Sequence, residues 1–421
     1  MEKGYLELIS SEAFRAILDS FPPLSAETVA IKAAVGRFLA ESLPAPEDLP
    51  ALPRSSMDGY AVRAADIFGA TETIPSYLDL AGELSITAQP EKHLAPGTCL
   101  RVVTGSSLPP GADAVVMVEH TQDLGGDTIE IRKAVAPGEN MMQACEDARA
   151  GLAVLPAGTL IRPAEVGLLS ALGISEVRVG RRPVAAVLST GDELVPSSAA
   201  SLKPGQIRDA NAPALAALCA QWGAEPLPLG IVRDDVTSIV GALDQALDQA
   251  DAVFLSGGSS VGIRDLTVEA LARLPDTEIL VHGLAVSPGK PTILARSRGK
   301  AVWGLPGQVA SAHVVMFVFG CPFLAHLAGD RAAFTRARPR IEARMARNVA
   351  SQQGREDFVR VRLEPAAAGV AEGIGGCLPG AVPVLGKSGL LKTLIQAQGL
   401  VAIPAGLEGL EAGTTVQVIL L

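Results

Sequence analysis

The chain has 421 residues and a formal net charge of -10, and 48% of its residues are hydrophobic while only 4% are aromatic. This length suggests about three domains with largely aliphatic cores, and an acidic chain without a basic block is poorly suited to bind nucleic acid. The five cysteines include no CxxC pair, which argues against a zinc site or a disulfide framework and favours buried free thiols in a reducing cytoplasm.

The first 181 residues combine helical, extended and strand-like segments. Residues 7–21 have the apolar spacing of an amphipathic helix, and the N-terminus lacks the long apolar region of a signal peptide. Four prolines between residues 43 and 53 exclude a helix and predict an ordered extended linker. Short strand-like segments between Gly and Pro turns predict a small, mostly β domain over residues 55–147. A helix at 164–172 and a strand at 176–179 follow.

Residues 182–331 alternate between apolar strands and helices. The predicted strands are 184–189, 227–232, 252–256 and 301–305, and the predicted helices are 211–222, 236–250, 266–273 and 309–327. This alternation predicts a doubly wound, mostly parallel sheet. Asn211 is the expected N-cap of the first of these helices. Residues 332–421 have strand-like segments that predict a small barrel or sandwich, at 358–363, 400–403 and 415–420.

Residues 309–329 are apolar enough to resemble a membrane span. The segment includes His313, Pro322 and His326 and lacks basic residues on its N-terminal side. A single interrupted segment inside an α/β pattern is more easily buried in protein than in lipid. We therefore expect a core helix and no membrane association.

Three polar turns follow strands of the predicted sheet. They are Ser189-Thr190-Gly191-Asp192-Glu193, Ser256-Gly257-Gly258-Ser259-Ser260 and Leu305-Pro306-Gly307-Gln308. Ligands of open α/β sheets bind beyond the carboxyl ends of the strands, and glycines, hydroxyls and a helix N-terminus suit a phosphate or another oxyanion. Each turn taken alone is equally well an ordinary turn. Lys290, in the turn Ser287-Pro-Gly-Lys-Pro291, is a candidate cation for such an anion or a solvated surface lysine.

The same sheet edge is rich in carboxylates. The candidates are Asp192, Glu193, Asp209, Asp234, Asp235 and Asp265. Because carboxylates and a polyanionic ligand repel each other, this combination predicts Mg²⁺-assisted chemistry on a phosphate compound. Glu193, Asp234 and Asp265 are the predicted metal ligands. N-capping explains at least one of the pair Asp234 and Asp235 without any function, and Asp209 is open to the same interpretation.

The ordered motifs of nearly the whole chain resemble the MoeA family of molybdopterin molybdotransferases, which is related to the gephyrin E domain. The segments that carry the resemblance are Met57-Asp-Gly-Tyr-Ala-Val62, Arg101-Val-Val-Thr-Gly105, Glu146-Asp147, the three turns above with Asp265, Pro288-Gly-Lys-Pro291 and Gly386-Lys-Ser-Gly389. The resemblance implies an α/β multidomain chain in an elongated homodimer. Its four domains would be an extended N-terminal α+β domain (1–54 and 148–181), an inserted β-rich domain (55–147), a molybdopterin-binding sheet domain (182–331) and a C-terminal β-barrel-like domain (332–421).

The resemblance also implies an activity, namely insertion of molybdate into adenylylated molybdopterin with release of AMP, in the cytoplasm. The site would lie between protomers, and Mg²⁺ would assist. The catalytic positions implied are Asp58, Thr104, Asp147, Glu193 and Asp265. The substrate-binding positions implied are Thr190, Gly191, Asp192, Ser256, Gly257, Gly258, Ser260, Lys290, Pro306, Gly307 and Ser388. A molybdopterin adenylyltransferase and apo-molybdoenzymes are the partners that this role would involve.

Several positions depart from the family pattern. Ser287 stands where the family usually has a lysine, and Gln308 and Val309 stand where it usually has Asn and Pro. A cation is therefore absent near the expected oxyanion site, for which Arg264 is one possible substitute. These departures keep a second function open, in which a specialised paralogue binds the cofactor and passes it to a molybdoenzyme without turnover. A third function, a nucleotide-processing enzyme that shares only the sheet domain, is disfavoured by the segment Met57-Asp-Gly-Tyr-Ala-Val62 and by the C-terminal domain 332–421.

Overall fold

A computed structural model describes residues 8–257, 261–365 and 378–421, with the side chains of residues 261–265 outside that description. The central unit, here called the sheet domain, is a six-stranded mixed sheet. Its strands in spatial order are Glu225–Val232, Val184–Thr190, Ala252–Gly257, Lys300–Pro306, Ile293–Ser297 and Thr277–His282. The first four are mutually parallel. Ile293–Ser297 runs antiparallel to both of its neighbours, so Thr277–His282 runs in the same direction as the first four. The prediction of a mostly parallel sheet is confirmed, since five of the six strands run in one direction, and the strands Ile293–Ser297 and Thr277–His282 are additional to the predicted ones.

Helices cover both faces of this sheet because its central strands are apolar on both sides. Ala185 and Val187 belong to one buried cluster with the helices Asn211–Gln221 and Val309–Leu327. Their neighbours Ala186 and Leu188 belong to the opposite cluster, which includes side chains of the helices Val236–Gln249 and Val261–Arg273. The alternating direction of strand side chains thus makes two cores from one apolar strand.

The long helix Val309–Leu327 is a core element, as expected. Among the described residues it is the one helix long and apolar enough to cross a membrane, but 94% of its apolar window is buried within the chain. A π-helical turn, Met316–Gly320, precedes Pro322. Because proline has no N–H to give to the carbonyl four residues earlier, the oxygen of Val318 instead accepts a hydrogen bond from Arg338 at 3.3 Å.

The N-terminal helix Ser11–Asp19 is shorter than predicted. It begins after Ser10, whose hydroxyl accepts the amide of Ala13 at 3.2 Å, so the predicted helix is wrong at residues 8–10, whereas residue 7 lies outside the described residues. A hydroxyl that satisfies a free helical amide is a strong start signal. Phe14 of this helix is fully buried against Trp303, with ring centroids 5.3 Å apart, so the helix packs on the sheet domain.

The predicted N-cap Asn211 is also wrong. Asn211 is the first residue inside its helix, and the amides of Asn211 and Ala212 donate to the buried carboxylate of Asp209 at 2.9 and 3.2 Å. Asp209 therefore acts as a cap, as its position allowed. Asp235 caps the helix Val236–Gln249 by accepting the amide of Ser238 at 2.8 Å.

The β-rich unit is a six-stranded sheet. Its strands in spatial order are Ala114–Met117, Gly59–Val62, Thr98–Val102, Ser76–Leu84, Thr128–Ile131 and Thr121–Asp123. Three antiparallel ladders connect the segments before and after it. They pair Ala26–Ala30 with Glu176–Gly180, Leu43–Pro44 with Ala153–Leu155, and Arg54–Ser55 with Met141–Met142. Of residues 43–53, these ladders include only Leu43–Pro44, so the prolines of the segment remove few ladder hydrogen bonds. The helix Pro163–Ala171 completes this part.

The C-terminal unit is a closed five-stranded barrel, which decides between the two predicted architectures. Its strands are Arg340–Met345, Glu356–Glu364, Gly380–Pro383, Gly399–Ile403 and Thr415–Leu420, and pairing of the second with the fourth closes the ring. The segment Val286–Ser287 of the sheet domain adds a parallel strand to Glu356–Glu364. A short helix, Leu391–Gln396, lies between the strands Gly380–Pro383 and Gly399–Ile403 in the chain.

The four cysteines in the described part of the chain are free thiols. Burial raises the pKa of Cys99 and of Cys219 to about 12, and Cys321 is also buried. Cys145 is only half-buried, so the expectation of uniformly buried thiols is wrong for it. It lies in a turn at positive φ. Cys377 lies outside the described residues.

Candidate functional site

A cavity of about 330 Å³ lies where the parallel strands of the sheet domain end. Thr190, Ser256 and Gly257 line it from two of these strands, and Gly307 and Gln308 line it from the turn after a third. The barrel contributes Gly389 and Leu391. The sheet edge that the sequence indicated is therefore concave, and the C-terminal domain forms part of its wall.

The first polar turn brings two predicted residues together. The hydroxyl of Thr190 donates to a carboxylate oxygen of Asp234, and Asp192 accepts the amide of Asp234 at 3.3 Å. Glu193 lines the cavity, is exposed, and has no hydrogen-bond partner for its carboxylate among the described residues. A β-carbon at Gly191 would lie 3.0 Å from Glu193 Oε2, so the glycine leaves room for this carboxylate.

The second turn forms the floor of the cavity. Ser256 is buried, and its hydroxyl is 2.9 Å from that of Ser189 on the neighbouring strand. A β-carbon at Gly257 would lie 2.6 Å from Thr190 Cγ2, so only glycine allows the backbone to approach this closely. Gly258 and Ser260 lie outside the described residues, and of Asp265 only the backbone is described, within the helix Val261–Arg273.

The third turn connects the sheet domain to the barrel. The hydroxyl of Ser388 donates to the side-chain oxygen of Gln308, and the amide of Ala310 donates to the carbonyl of Ser388 at 2.9 Å. Gly307 accepts from the side chain of Asn211 at 2.8 Å, and Pro306 is buried in strand register with Gly257. One amide of the expected anion-binding helix N-terminus is therefore already used by the barrel.

Residues 191–210, here called the cavity loop, connect the first strand to the helix Asn211–Gln221. Leu194–Val195 pairs in parallel with Ile207–Arg208 inside this loop. The amide of Ile207 donates to the carbonyl of Glu193 at 2.9 Å. The pairing fixes both Glu193 and Arg208 at the cavity wall.

A second group of predicted residues lies on the β-rich unit. Asp58 accepts the amide and the hydroxyl of Thr104 at 2.7 and 2.8 Å. These two hydrogen bonds, that of the amide being the larger cause, lower the pKa of Asp58 below its ordinary value of 3.8. Asp147 is exposed, and its amide donates to Leu49 at 3.0 Å. None of these three residues lines the cavity of its own chain.

Three successive parts of the chain match domains known from other proteins. Residues 9–173 match the MoeA N-terminal region (domains I and II), residues 186–326 match a domain described as a probable molybdopterin binding domain, and residues 342–421 match the MoeA C-terminal region (domain IV). The chain belongs to the MoeA family. The family that the sequence motifs indicated is thereby confirmed.

Relatives in this family match over nearly their whole length. A protein of Bacillus subtilis named molybdopterin molybdenumtransferase is 32% identical and covers 97% of this chain and 93% of its own. A protein of the same name from Staphylococcus aureus is 30% identical, with 97% and 94% covered. Two crystal structures of molybdopterin biosynthesis MoeA proteins from Pyrococcus horikoshii match with TM-scores of 0.74 and 0.79, at 34% and 29% identity. They cover 98% and 99% of this chain and 99% and 100% of theirs.

The predicted lysine is not part of the cavity of this MoeA chain. Lys290 is exposed and is absent from the lining, and Ser287, at the usual lysine position, is half-buried in the strand that joins the barrel. Arg208 is the one lysine or arginine among the described lining residues. The side chain of Arg264 lies outside the described residues.

The carboxylates do not form a ready-made metal cage. Within the described part of the chain, no three His, Cys, Asp or Glu side chains are grouped closely enough to hold a metal ion. Asp234 is engaged by Thr190 and Asp209 by helix amides, which leaves Glu193 as the carboxylate open to the cavity. Mg²⁺ commonly takes one or two carboxylates and completes its shell with substrate phosphates and water. The hard oxygen donors present therefore fit a Mg²⁺ ion that binds together with an anionic substrate.

Sequence reasoning assigned no binding role to several side chains that line the cavity from outside the three polar turns. Arg208, Asn211 and Leu391 line it, although of these three only Asn211 was considered, as a cap. The polar run Arg208-Asp-Ala-Asn211 immediately before a helix was the available signal. Nothing local in the sequence indicates that Leu391, almost two hundred residues later, reaches the same cavity.

Proposed function

We propose that this chain is a molybdopterin molybdotransferase, which inserts molybdate into adenylylated molybdopterin with release of AMP, in the last step of molybdenum cofactor biosynthesis. The names of its relatives support the role in this biosynthesis. The observation that carries the proposal is the cavity at the carboxyl ends of the parallel strands, where an open carboxylate, buried hydroxyls and two close-approach glycines meet. Such a cavity suits a phosphorylated ligand.

The residues of the cavity have separable roles in this proposal. Glu193, with Asp192 and Asp234 behind it, would hold Mg²⁺ against the phosphates of the substrate, and the ion would neutralise charge that develops there. Ser256 and Thr190 would orient the substrate by hydrogen bonds, and the barrel turn at Ser388 would keep bulk water out of the site. Electrostatic positioning of this kind supplies much of the rate in transfers of phosphoryl groups.

We infer that the complete site forms between two protomers. Asp58 and Thr104 lie on the β-rich unit and are exposed, and the two fix each other's orientation. Their residue types suit the handling of a proton or of an anion, yet neither lines the cavity of its own chain. A homodimer in which they face the partner's sheet domain would unite both groups. The working location proposed is the cytoplasm, where a molybdopterin adenylyltransferase would supply the substrate and apo-molybdoenzymes would accept the product.

The first experiment measures AMP release from adenylylated molybdopterin with Mg²⁺, in the presence and absence of molybdate. We expect release that molybdate stimulates in the wild type and that Glu193→Ala reduces by about 100-fold or more. Glu278→Ala is the matched control, because Glu278 is exposed on the edge strand of the same sheet and does not line the cavity. Release that is indifferent to molybdate in the wild type would contradict the transferase proposal.

A second function follows from the same site. Ser287, Gln308 and Val309 depart from the family pattern, and the barrel turn already occupies one amide at the helix N-terminus. These features favour a paralogue that binds the finished cofactor and passes it to a molybdoenzyme. Tight binding of molybdopterin without AMP release, and unaffected by Glu193→Ala, would support this alternative over the enzyme.

A further inference from the structure

The charged side chains that line the cavity restrict how it can hold an anionic ligand. Under the proposed function, on which this inference rests, the cavity receives a polyanion. Glu193 is open to the cavity and Asp209 is buried at its wall, whereas Lys290 and Ser287 supply no cation there. A polyanion in such a place needs a fixed positive group besides any metal ion.

Arg208 lies at the right place to be that group. It lines the cavity and follows Ile207 in the short strand that pairs with Leu194–Val195. The amide of Asp209 donates to Val195 at 2.9 Å, and the carboxylate of Asp209 is anchored to the helix that follows. The backbone on either side of Arg208 is therefore held by hydrogen bonds, although the side chain is exposed.

The guanidinium group is held along one edge only. Its Nε and Nη2 atoms donate to the carbonyl of Ala199 at 3.0 and 2.6 Å. No carboxylate of the described residues lies within 4.0 Å of it, and Nη1 has no hydrogen-bond partner among them. The outer edge, formed by Nη1 and Nη2, therefore keeps two roughly parallel donors. This is the edge that binds a carboxylate or phosphate in a bidentate manner.

We propose that Arg208 binds a tetrahedral oxyanion of the substrates through this outer edge, either a phosphoryl group of the pterin nucleotide or molybdate. Arg208 then provides the fixed positive charge that the usual lysine position, occupied by Ser287, does not. The contact with Ala199 orients the guanidinium in advance, so less side-chain entropy is lost when the anion binds. The ladder that positions Arg208 also positions Glu193, so the loop presents a cation and a metal-binding carboxylate to one ligand.

The test measures, by calorimetry on the full-length protein with Mg²⁺, the Kd of adenylylated molybdopterin and, separately, the Kd of molybdate. Arg208→Gln removes the charge but keeps an amide donor for Ala199, and we expect it to weaken one of the two ligands by about tenfold or more. Arg208→Lys keeps the charge but not the fork, and should fall between. The control Lys203→Ala removes one positive charge from an exposed site on the same cavity loop outside the lining, and both Kd values should stay within about twofold of wild type.

The pattern of losses identifies the anion. A loss confined to adenylylated molybdopterin assigns Arg208 to a phosphoryl group, and a loss confined to molybdate assigns it to the metal oxyanion. The affinity that Arg208 supports should also fall with added salt more steeply in the wild type than in Arg208→Gln. Unchanged Kd values for both ligands in Arg208→Gln, with a thermal unfolding midpoint equal to that of wild type, would overturn the inference. Because binding is measured apart from AMP release, absence of turnover in the wild type would refute the proposed transferase without deciding the role of Arg208.

Discussion

At the scale of single residues, Asp58 and Thr104 form a well-defined contact outside the cavity. Both residues are exposed, yet Asp58 accepts two hydrogen bonds from Thr104. An exposed carboxylate held in one orientation, with a lowered pKa, is anionic at every pH at which the protein is expected to work. Its proposed task is therefore to orient or repel charge, or to accept a proton only transiently.

Thr104→Val tests this description. The variant loses the hydroxyl donor but keeps the amide donor, which is the larger cause of the shift, so the pKa of Asp58 should rise only part of the way towards 3.8. A titration of the Asp58 carboxyl carbon by NMR measures the change. Because the folded-state pKa is lowered, the stability that this contact contributes is present above the unfolded-state pKa and is lost as the pH falls through the folded-state value.

A pKa that returns fully to its ordinary value would show that the amide contact depends on the hydroxyl. Thr98→Val is a suitable control, because Thr98 is a threonine of the same sheet whose hydroxyl donates to the carbonyl of Ala95 and not to a carboxylate. It should leave the pKa of Asp58 unchanged. At neutral pH Asp58 stays ionised in every variant, so a loss of activity in Thr104→Val would reflect its orientation and not its protonation.

At the scale of elements, two contacts attach distant segments to the sheet domain. The N-terminal helix Ser11–Asp19 inserts Phe14 against Trp303 and Phe319, with ring centroids 5.3 and 5.2 Å away. The barrel turn at Ser388 contacts the start of the helix Val309–Leu327. Both contacts join parts of the sequence that are about three hundred and about eighty residues apart, and neither has a local sequence signal.

Phe14→Ala should destabilise the sheet domain strongly. Removing a fully buried phenylalanine from an aromatic cluster costs about 3–5 kcal/mol, from the lost transfer free energy and the cavity left behind. Urea unfolding followed by tryptophan fluorescence reports on this region, because both tryptophans of the chain belong to the cluster or pack against it. Glu12→Ala, an exposed change on the same helix, should shift the free energy of unfolding by less than about 0.5 kcal/mol. Equal effects of the two variants would mean that the helix does not depend on Phe14 for its packing.

The pair Gln308 and Ser388 should couple the barrel to the cavity. Gln308→Ala and Ser388→Ala each remove the same hydrogen bond, so their effects on the KM for adenylylated molybdopterin should not add. The expected coupling in a double-mutant cycle is about 0.5–1.5 kcal/mol, the usual net contribution of one hydrogen bond. Additive effects would indicate that the two residues act on the substrate independently. Ser351→Ala, in a hydrogen bond of the barrel remote from the cavity, provides the control.

At the scale of the whole molecule, the proposed dimer makes a sharp prediction about mixed protomers. If each site takes Asp58 from one chain and Glu193 from the other, the Asp58→Ala and Glu193→Ala homodimers are both inactive. An equal mixture that exchanges subunits should recover about one quarter of the wild-type activity, because half of the dimers are mixed and each of those has one intact site. AMP release measured before and after subunit exchange tests this directly.

The alternative outcome is equally clear. If each site were complete within one chain, every protomer of the mixture would remain defective and exchange would recover no activity. Mixing Asp58→Ala with Thr104→Val serves as the control, because both changes fall on the same half of the proposed site. In a mixed dimer, one site then contains the Asp58→Ala change and the other contains the Thr104→Val change. Both sites are therefore affected, and we expect no recovery of activity by complementation.

The sequence by itself determined the family, the order of the units and the type of the central sheet. Apolar strands such as Val184–Thr190 carry that information locally, since they are buried on both faces and alternate with helices of the right period. The turns after these strands could also be recognised from the sequence, because glycine and small hydroxyl residues are typical of turns where the backbone approaches a ligand closely. That is why Glu193, Ser256 and Gly257 were placed correctly at one sheet edge.

The tertiary structure alone decided which side chains complete the cavity and which stay away from it. Lys290 looked suitable from its turn but lies outside the lining, whereas Arg208 and Leu391 enter it from a paired loop and from the barrel. Closure of the barrel, which separates a barrel from a sandwich, depends on one pairing between Glu356–Glu364 and Gly399–Ile403. The physical reason is common to these cases: such contacts are fixed by packing between segments far apart in the chain, and no local pattern of residues encodes which distant surface a segment will meet.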